Sequence, residues 1–139
     1  MNIRFSLLCG TALLLSACAA GPNVAGNWKH IGNTGNGNIR VYIDRDSIRK
    51  NGASVVFRDR KVVQNPERER YVNMPAYKTA VGTWEIHCTQ KTYRLSSLQL
   101  LAEDGREVFG RTYPAAMIQA TAIPAGSLAE VQRQTVCDR

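Results

Sequence analysis

The chain is short of the groups that catalysis and metal binding require. It carries two histidines, His30 and His87, and neither has an adjacent acid of the kind a catalytic triad needs. No serine sits in a nucleophile-elbow pattern. The glycines between positions 32 and 37 lack the lysine and the strand-to-helix context of a phosphate-cradling loop. Carboxylates number 11 and mostly stand beside arginines. No internal repeat, heptad register or nucleic-acid motif is present. These absences argue against an enzyme and against a nucleic-acid partner, and leave no cofactor to expect. His30 and His87 read as surface residues rather than general bases.

Long hydrophobic runs are missing too, except at the start. Arg4 supplies a positive end, an apolar run follows through Leu7, Leu8, Leu13 and Leu15, and small residues precede Cys18, the anatomy of a secretory signal. Crossing a bilayer takes about 20 apolar residues, and this run is shorter and broken by Gly10 and Thr11. Residues 1–17 are therefore expected to be a cleaved lipoprotein signal peptide. Leu15-Ser16-Ala17-Cys18 resembles the lipobox of bacterial lipoproteins, which makes Cys18 the expected site of acylation, palmitate included. Several acyl chains hold a protein in a membrane where one binds only marginally. Ala19 rather than Asp follows the cysteine, and by resemblance to enterobacterial sorting this favours the outer membrane. Residues 18–27 have little to bury and read as a lipid-anchored tether, with residues 28–139 forming one domain.

Cysteine is nearly absent from that domain. Of four cysteines, Cys9 leaves with the signal and Cys18 is committed to lipid, so Cys88 and Cys137 remain as a pair in an oxidising compartment. Metal is the competing reading, but two isolated cysteines and two histidines make no known ligand spacing. Acids are scarce relative to bases. The full chain has 18 lysines and arginines against 11 acids, and loss of Arg4 with the signal leaves a formal charge of +6. That surplus favours anionic partners: lipopolysaccharide, heparin-like glycans or acidic host proteins.

What is present is alternation. Residues 79–101 predict a β-hairpin with Cys88 close to its turn. Gly82, Trp84, Ile86 and Cys88 share one face, and Thr83, Glu85 and His87 the other. After the turn, Tyr93 and Leu95 keep the pattern, while Leu98 and Leu100 fall out of phase across Ser96-Ser97, which predicts a β-bulge. Further strands are expected at 28–31, 39–44, 53–63 and 107–113. Residues 32–38, with three glycines and three asparagines, read as a turn or mobile loop. Asp44 is placed to cap a short helical turn at Arg45-Asp46-Ser47. Ser127-Leu128-Ala129-Glu130 has capping-box spacing and predicts a helix from about 128 to 136, with the glutamate reaching back to the cap. Residues 114–124 are left as either a short helix or a loop packed on the core.

Three features carry candidate binding residues. Arg58 and Arg60 share a face of strand 53–63 and could join Arg40 in a basic stripe, with Lys61 beside them. The blander reading is that the run Arg58-Asp59-Arg60-Lys61 is solvated, or guards an exposed sheet edge against aggregation. The polar stretch 64–76, holding Arg68 and Arg70, is either a partner-binding loop or a mobile insertion.

The whole mature domain resembles the surface-adhesin protein E family of small bacterial lipoproteins. The resemblance rests on Trp28, on Val41-Tyr42-Ile43-Asp44 followed by Ser47-Ile48, and on Gly52 with Val55-Val56-Phe57. It continues through Trp84-Glu85-Ile86-His87-Cys88, Lys91-Thr92-Tyr93-Arg94 and Pro124-Ala125-Gly126-Ser127 to Cys137. It implies an α+β fold: a single antiparallel sheet of about six strands flanked by a C-terminal helix, with Cys88 joined to Cys137. It also implies surface exposure and binding of host matrix or serum proteins, as a monomer or homodimer. The shared positions specify fold, and fold does not specify function. The expected function is thus a non-enzymatic, adhesin-like outer-membrane binding module, against a periplasm-facing structural lipoprotein as the alternative. A lysozyme-inhibitor-like role fits poorly, since lysozyme is itself cationic.

Overall fold

A computed structural model describes residues 24–70 and 72–138. Residues 1–23, and with them the expected signal peptide and Cys18, lie outside the described residues. Among the described residues, eight antiparallel strands form one sheet: β1 (Trp28–Thr34), β2 (Ile39–Asp44), β3 (Arg49–Asn51), β4 (Ser54–Val63), β5 (Thr79–His87), β6 (Thr92–Leu101), β7 (Glu107–Thr112) and β8 (Thr121–Ala122). The one α-helix among the described residues, α1 (Leu128–Cys137), follows the strands. Six strands run in the order β1-β2-β4-β5-β6-β7. The short β3 pairs with β4 on the side that β2 occupies further along, and the short β8 pairs with β6 on the side of β7. The expected α+β architecture of about six strands is thus present, with two short strands added that three-residue and two-residue patterns could not announce.

The hairpin β5–β6 forms as alternation predicts, and its bulge lies where the apolar phase slips. Thr83 pairs with Ser97 and Trp84 with Leu95, so Ser96 is the extra residue. Its hydroxyl donates to the Thr83 carbonyl at 3.0 Å. The same device operates in β1, where the register shifts between His30 and Gly32. Here the glycine-rich stretch departs from expectation. Gly32, Asn33 and Thr34 continue the strand, and only residues 35–38 turn. At Gly32 the backbone has φ +155°, and a Cβ there would stand 3.0 Å from Leu128 Cδ1. The missing side chain lets α1 approach the strand.

Opposite residues in the register share a face, so the sheet sorts into two. One face carries Val41, Ile43, Val55, Phe57 and Ile86, all at most 1% exposed, and α1 lies on it through the fully buried Val136. A second cluster of Ile39, Val41 and Val63 receives Leu128. Burying Phe57 alone is worth about 1.5–3 kcal/mol relative to leaving it exposed. Ile123 joins the same core, which resolves residues 114–124 as a loop with a strand bridge, tied down at its end. A ten-residue helix is marginal by itself. Its C-terminal residue is bonded to the hairpin through Cys88–Cys137, with Cα atoms 5.9 Å apart. Every strand, both clusters, α1 and this disulfide lie within residues 28–138, so that stretch carries its own core.

Local caps form with one change. Ser127 Oγ accepts from the Glu130 N–H at 3.2 Å. Glu130, however, does not reach back to the cap. Its carboxylate takes Arg133 at 2.7 and 3.0 Å, while the Ser127 N–H is satisfied by the Pro124 carbonyl at 3.3 Å. A charged, bidentate partner one turn away outbids the backbone.

Candidate functional site

The charged run of β4 alternates like any strand. Arg58 and Arg60 point to the face away from the helix, and Asp59 and Lys61 to the face beneath it. β4 is flanked by β2 and β5, so these charges do not guard a sheet edge. The open face is completed by neighbours that only the register reveals. Tyr42 sits opposite Arg60 and Arg40 opposite Val62, while Trp28 sits opposite Asp44 and His30 opposite Tyr42.

Asp44 organises one end of this face. It caps the turn Arg45–Ser47 by accepting the Asp46 N–H at 3.2 Å. It also accepts the Asn27 N–H at 3.0 Å and forms an ion pair with Arg58. Burial works against its charged form, yet the hydrogen bonds from Arg58 and from the Asn27 and Asp46 backbone outweigh it and hold the carboxyl below its ordinary value of 3.8. Arg58 is thereby neutralised. It also donates to the Ala25 carbonyl at 2.9 Å, and Trp28 Nε1 donates to the Val24 carbonyl at 2.7 Å. The last residues of the expected tether are therefore fastened to the sheet.

Arg60 differs. Its guanidinium carbon lies 4.8 Å from the ring centres of both Trp28 and Tyr42. No carboxylate pairs with it among the described residues, and its Nε is buried without a hydrogen-bond partner. Burial lowers its pKa, partly offset by Tyr42, but an arginine stays charged at any physiological pH. The result is a partly desolvated cation set against two aromatic rings, with exposed Arg40 nearby. Such a guanidinium is matched to carboxylate and sulfate oxygens.

The other sequence candidates are dispersed. Lys61 faces the helix side, pairs with Asp59 and stands 5.1 Å from the Trp84 ring. Asp59, only 1% exposed, also accepts Gln132 Nε2 of α1 at 2.9 Å. Arg70 pairs with Glu67 on the surface, and Arg68 is exposed on the 3-10 turn Pro66–Arg68. That loop is anchored through buried Asn38. Its amide donates to the Asn65 carbonyl and to Glu69 Oε1, both at 3.0 Å, and its oxygen accepts the Asn65 N–H at 2.8 Å. Arg58 and Arg60 are thus brought together, and Lys61, Arg68 and Arg70 are not. Sequence reasoning missed Trp28 and Tyr42 as ring partners. Their alternation was visible, but the pairing of β1, β2 and β4 was not.

No group of three histidine, cysteine or acidic side chains among the described residues is placed to hold a metal ion. None of the described helices is long and apolar enough to cross a membrane. A disulfide-clamped single sheet with one open cationic and aromatic face defines a small α+β binding protein. The family model for surface-adhesin protein E matches residues 28–138, and the chain belongs to that family, which places it among the cell-surface adhesins. Among solved structures it is similar to crystal form II of Haemophilus influenzae protein E. That likeness covers 86% of this chain and 94% of the other, with a TM-score of 0.57 and 14% identity. At that identity it shows the fold alone. No curated protein matches the chain.

Proposed function

We propose that this protein is an outer-membrane lipoprotein, acylated at Cys18 and held outside the cell, that acts as a non-enzymatic binding module for acidic groups on host matrix or serum proteins or on anionic glycans. The observation that carries this reading is Arg60, a cation lying against the rings of both Trp28 and Tyr42 and paired with no carboxylate among the described residues. A protein that leaves such a group uncompensated gains when a ligand carboxylate or sulfate supplies the missing charge. Arg40 and Arg58 extend the contact, and the exposed Arg68 and Arg70, the latter paired with Glu67, offer separate basic groups on the loop after β4. Lys61 belongs to the opposite face and serves Asp59. The charge of +6 after signal removal adds long-range attraction that weakens with salt.

The test measures binding of the oxidised domain to immobilised heparin and to a matrix-protein layer across a salt series. Arg60→Gln should weaken binding about tenfold or more, with a shallower salt dependence, and leave the circular dichroism melt within a few degrees. Unchanged binding in a folded Arg60→Gln protein would remove this face from the function. Antibody labelling of intact cells should succeed. Labelling only after permeabilisation would favour the periplasm-facing structural lipoprotein instead.

A further inference from the structure

The open face carries one titratable group that Arg60 and its rings leave unused. His30 of β1 pairs with Tyr42, and Tyr42 with Arg60, so the three stand in a row across β1, β2 and β4. Both neighbours lie against the Tyr42 ring. The centre of the His30 ring is 5.2 Å from its centre and the Arg60 guanidinium carbon 4.8 Å. Imidazole and guanidinium therefore stand within these two lengths laid end to end, about one Debye length at physiological salt. A charge on His30 is felt at Arg60.

The His30 ring is exposed, yet one of its nitrogens is committed. Nε2 lies 3.0 Å from Asn33 Oδ1, an atom that only accepts, so Nε2 carries the hydrogen of the neutral ring. A second proton enters at Nδ1. The groups that share this face with it are Trp28 and Asn33 of β1, Arg40, Tyr42 and Asp44 of β2, and Arg58 and Arg60 of β4. α1 packs on the other face. Of these groups only Asp44 is acidic, and its carboxylate is engaged by Arg58 and by the Asn27 and Asp46 N–H groups. A proton on His30 is therefore not neutralised within the face and adds to the charge of Arg40 and Arg60. It is opposed while the face is empty and favoured once an anion sits there.

We infer that His30 is a proton-dependent third cation of the Arg60 site, and that its protonation tightens the hold on a bound sulfate or carboxylate as pH falls below neutrality. The inference rests on the anion-binding reading of this face. Histidine is the side chain whose charge changes between about pH 5 and 8. One unit charge about 8 Å from a bound anion, at a surface where water screens much of it, is worth about fivefold in affinity. The chain has one other histidine, His87. It ends β5 opposite Ser54 and Thr92, six residues along from Val81, the β5 partner of Arg60. At about 3.4 Å per residue that is roughly 20 Å, beyond the screened reach of the site. Asp44, held below its ordinary 3.8, keeps its charge throughout the interval, so the frame of the face does not change.

The experiment is calorimetric titration of the oxidised domain, residues 24–139, with a heparin oligosaccharide at about pH 5.5 and about pH 8, at constant ionic strength. Heparin sulfates stay ionised across this interval, so a change in affinity arises in the protein. Wild type should bind about fivefold tighter at the lower pH, and His87→Gln should do the same. His30→Gln, which keeps an amide donor for Asn33, should lose the gain and bind at both pH values as wild type does at the higher one. His30→Lys should bind tightly at both. By linkage, the His30 ring followed by NMR should titrate at a higher pH in the heparin complex than in the free domain. A folded wild-type domain that binds no heparin at either pH overturns the anion-binding reading of the whole face. Equal affinity at the two pH values, or a gain that survives in His30→Gln, overturns the role of His30 alone and leaves that reading standing.

Discussion

Replacing both Cys88 and Cys137 by alanine should cost this domain a large share of its stability, chiefly through the unfolded chain. The two residues are separated by 49 positions. Closing a loop of about 50 residues removes about 14 cal/mol/K from the denatured ensemble, or about 4 kcal/mol at 25 °C. With roughly 2.1 cal/mol/K of unfolding entropy per residue over about 110 residues, that corresponds to a fall in Tm of roughly 15–20 °C. The native contacts of the helix survive, because Val136 remains seated on Ile43, Phe57 and Ile86. The variant should therefore fold at 25 °C with an unchanged far-ultraviolet spectrum. Urea unfolding monitored by circular dichroism separates the causes. Freed of its cross-link, the denatured chain exposes more surface, so the m-value should rise as the midpoint falls. A Tm within about 5 °C of wild type, or a large loss with no change in m, would refute a denatured-state origin.

Phe57→Ala empties the centre of the larger cluster, where the ring is 0% exposed, and should cost about 3–5 kcal/mol by urea denaturation. Gly32→Ala should destabilise by about 1 kcal/mol or more, since φ is +155° and Leu128 Cδ1 blocks the new carbon, and the helix amides of Leu128 and Ala129 should show the largest shifts by NMR. Asp44→Asn should cost about 1–3 kcal/mol at pH 7. Because the folded carboxyl is held below its ordinary 3.8, its contribution is present above that value and lost as pH falls through the folded pKa. The stability gap between wild type and Asp44→Asn should therefore be full at neutral pH and close below about pH 4 in parallel thermal melts.

Much of this fold was legible in the chain because the signals were local. The period-2 alternation of Gly82, Trp84, Ile86 and Cys88 placed β5. The phase slip at Ser96-Ser97 placed the bulge, since a one-residue insertion moves every later side chain to the other face. The serine at 127 announced the helix, and the count of cysteines paired Cys88 with Cys137. Asp44 was recognised as a cap because a cap is decided by two or three neighbours. The strand status of Gly32, Asn33 and Thr34 was not legible, because glycine and asparagine favour turns locally and only Leu128, nearly a hundred residues later, accounts for the bulge there.

Which residues meet was left to the tertiary structure. Arg58, Arg60 and Lys61 are adjacent in sequence, yet the pleat sends Lys61 to the helix side to neutralise Asp59. Arg60 acquires Trp28 and Tyr42 from two other strands. The apolar pocket lined by Ala80, Leu95, Leu98 and Leu100 has no sequence signature at all, since its walls come from separate strands and a loop. Composition and periodicity are properties of neighbours along the chain, and they determined the strands and the caps. Counter-ions, ring stacks and uncovered surface are properties of neighbours in space, and only strand order and register could decide them.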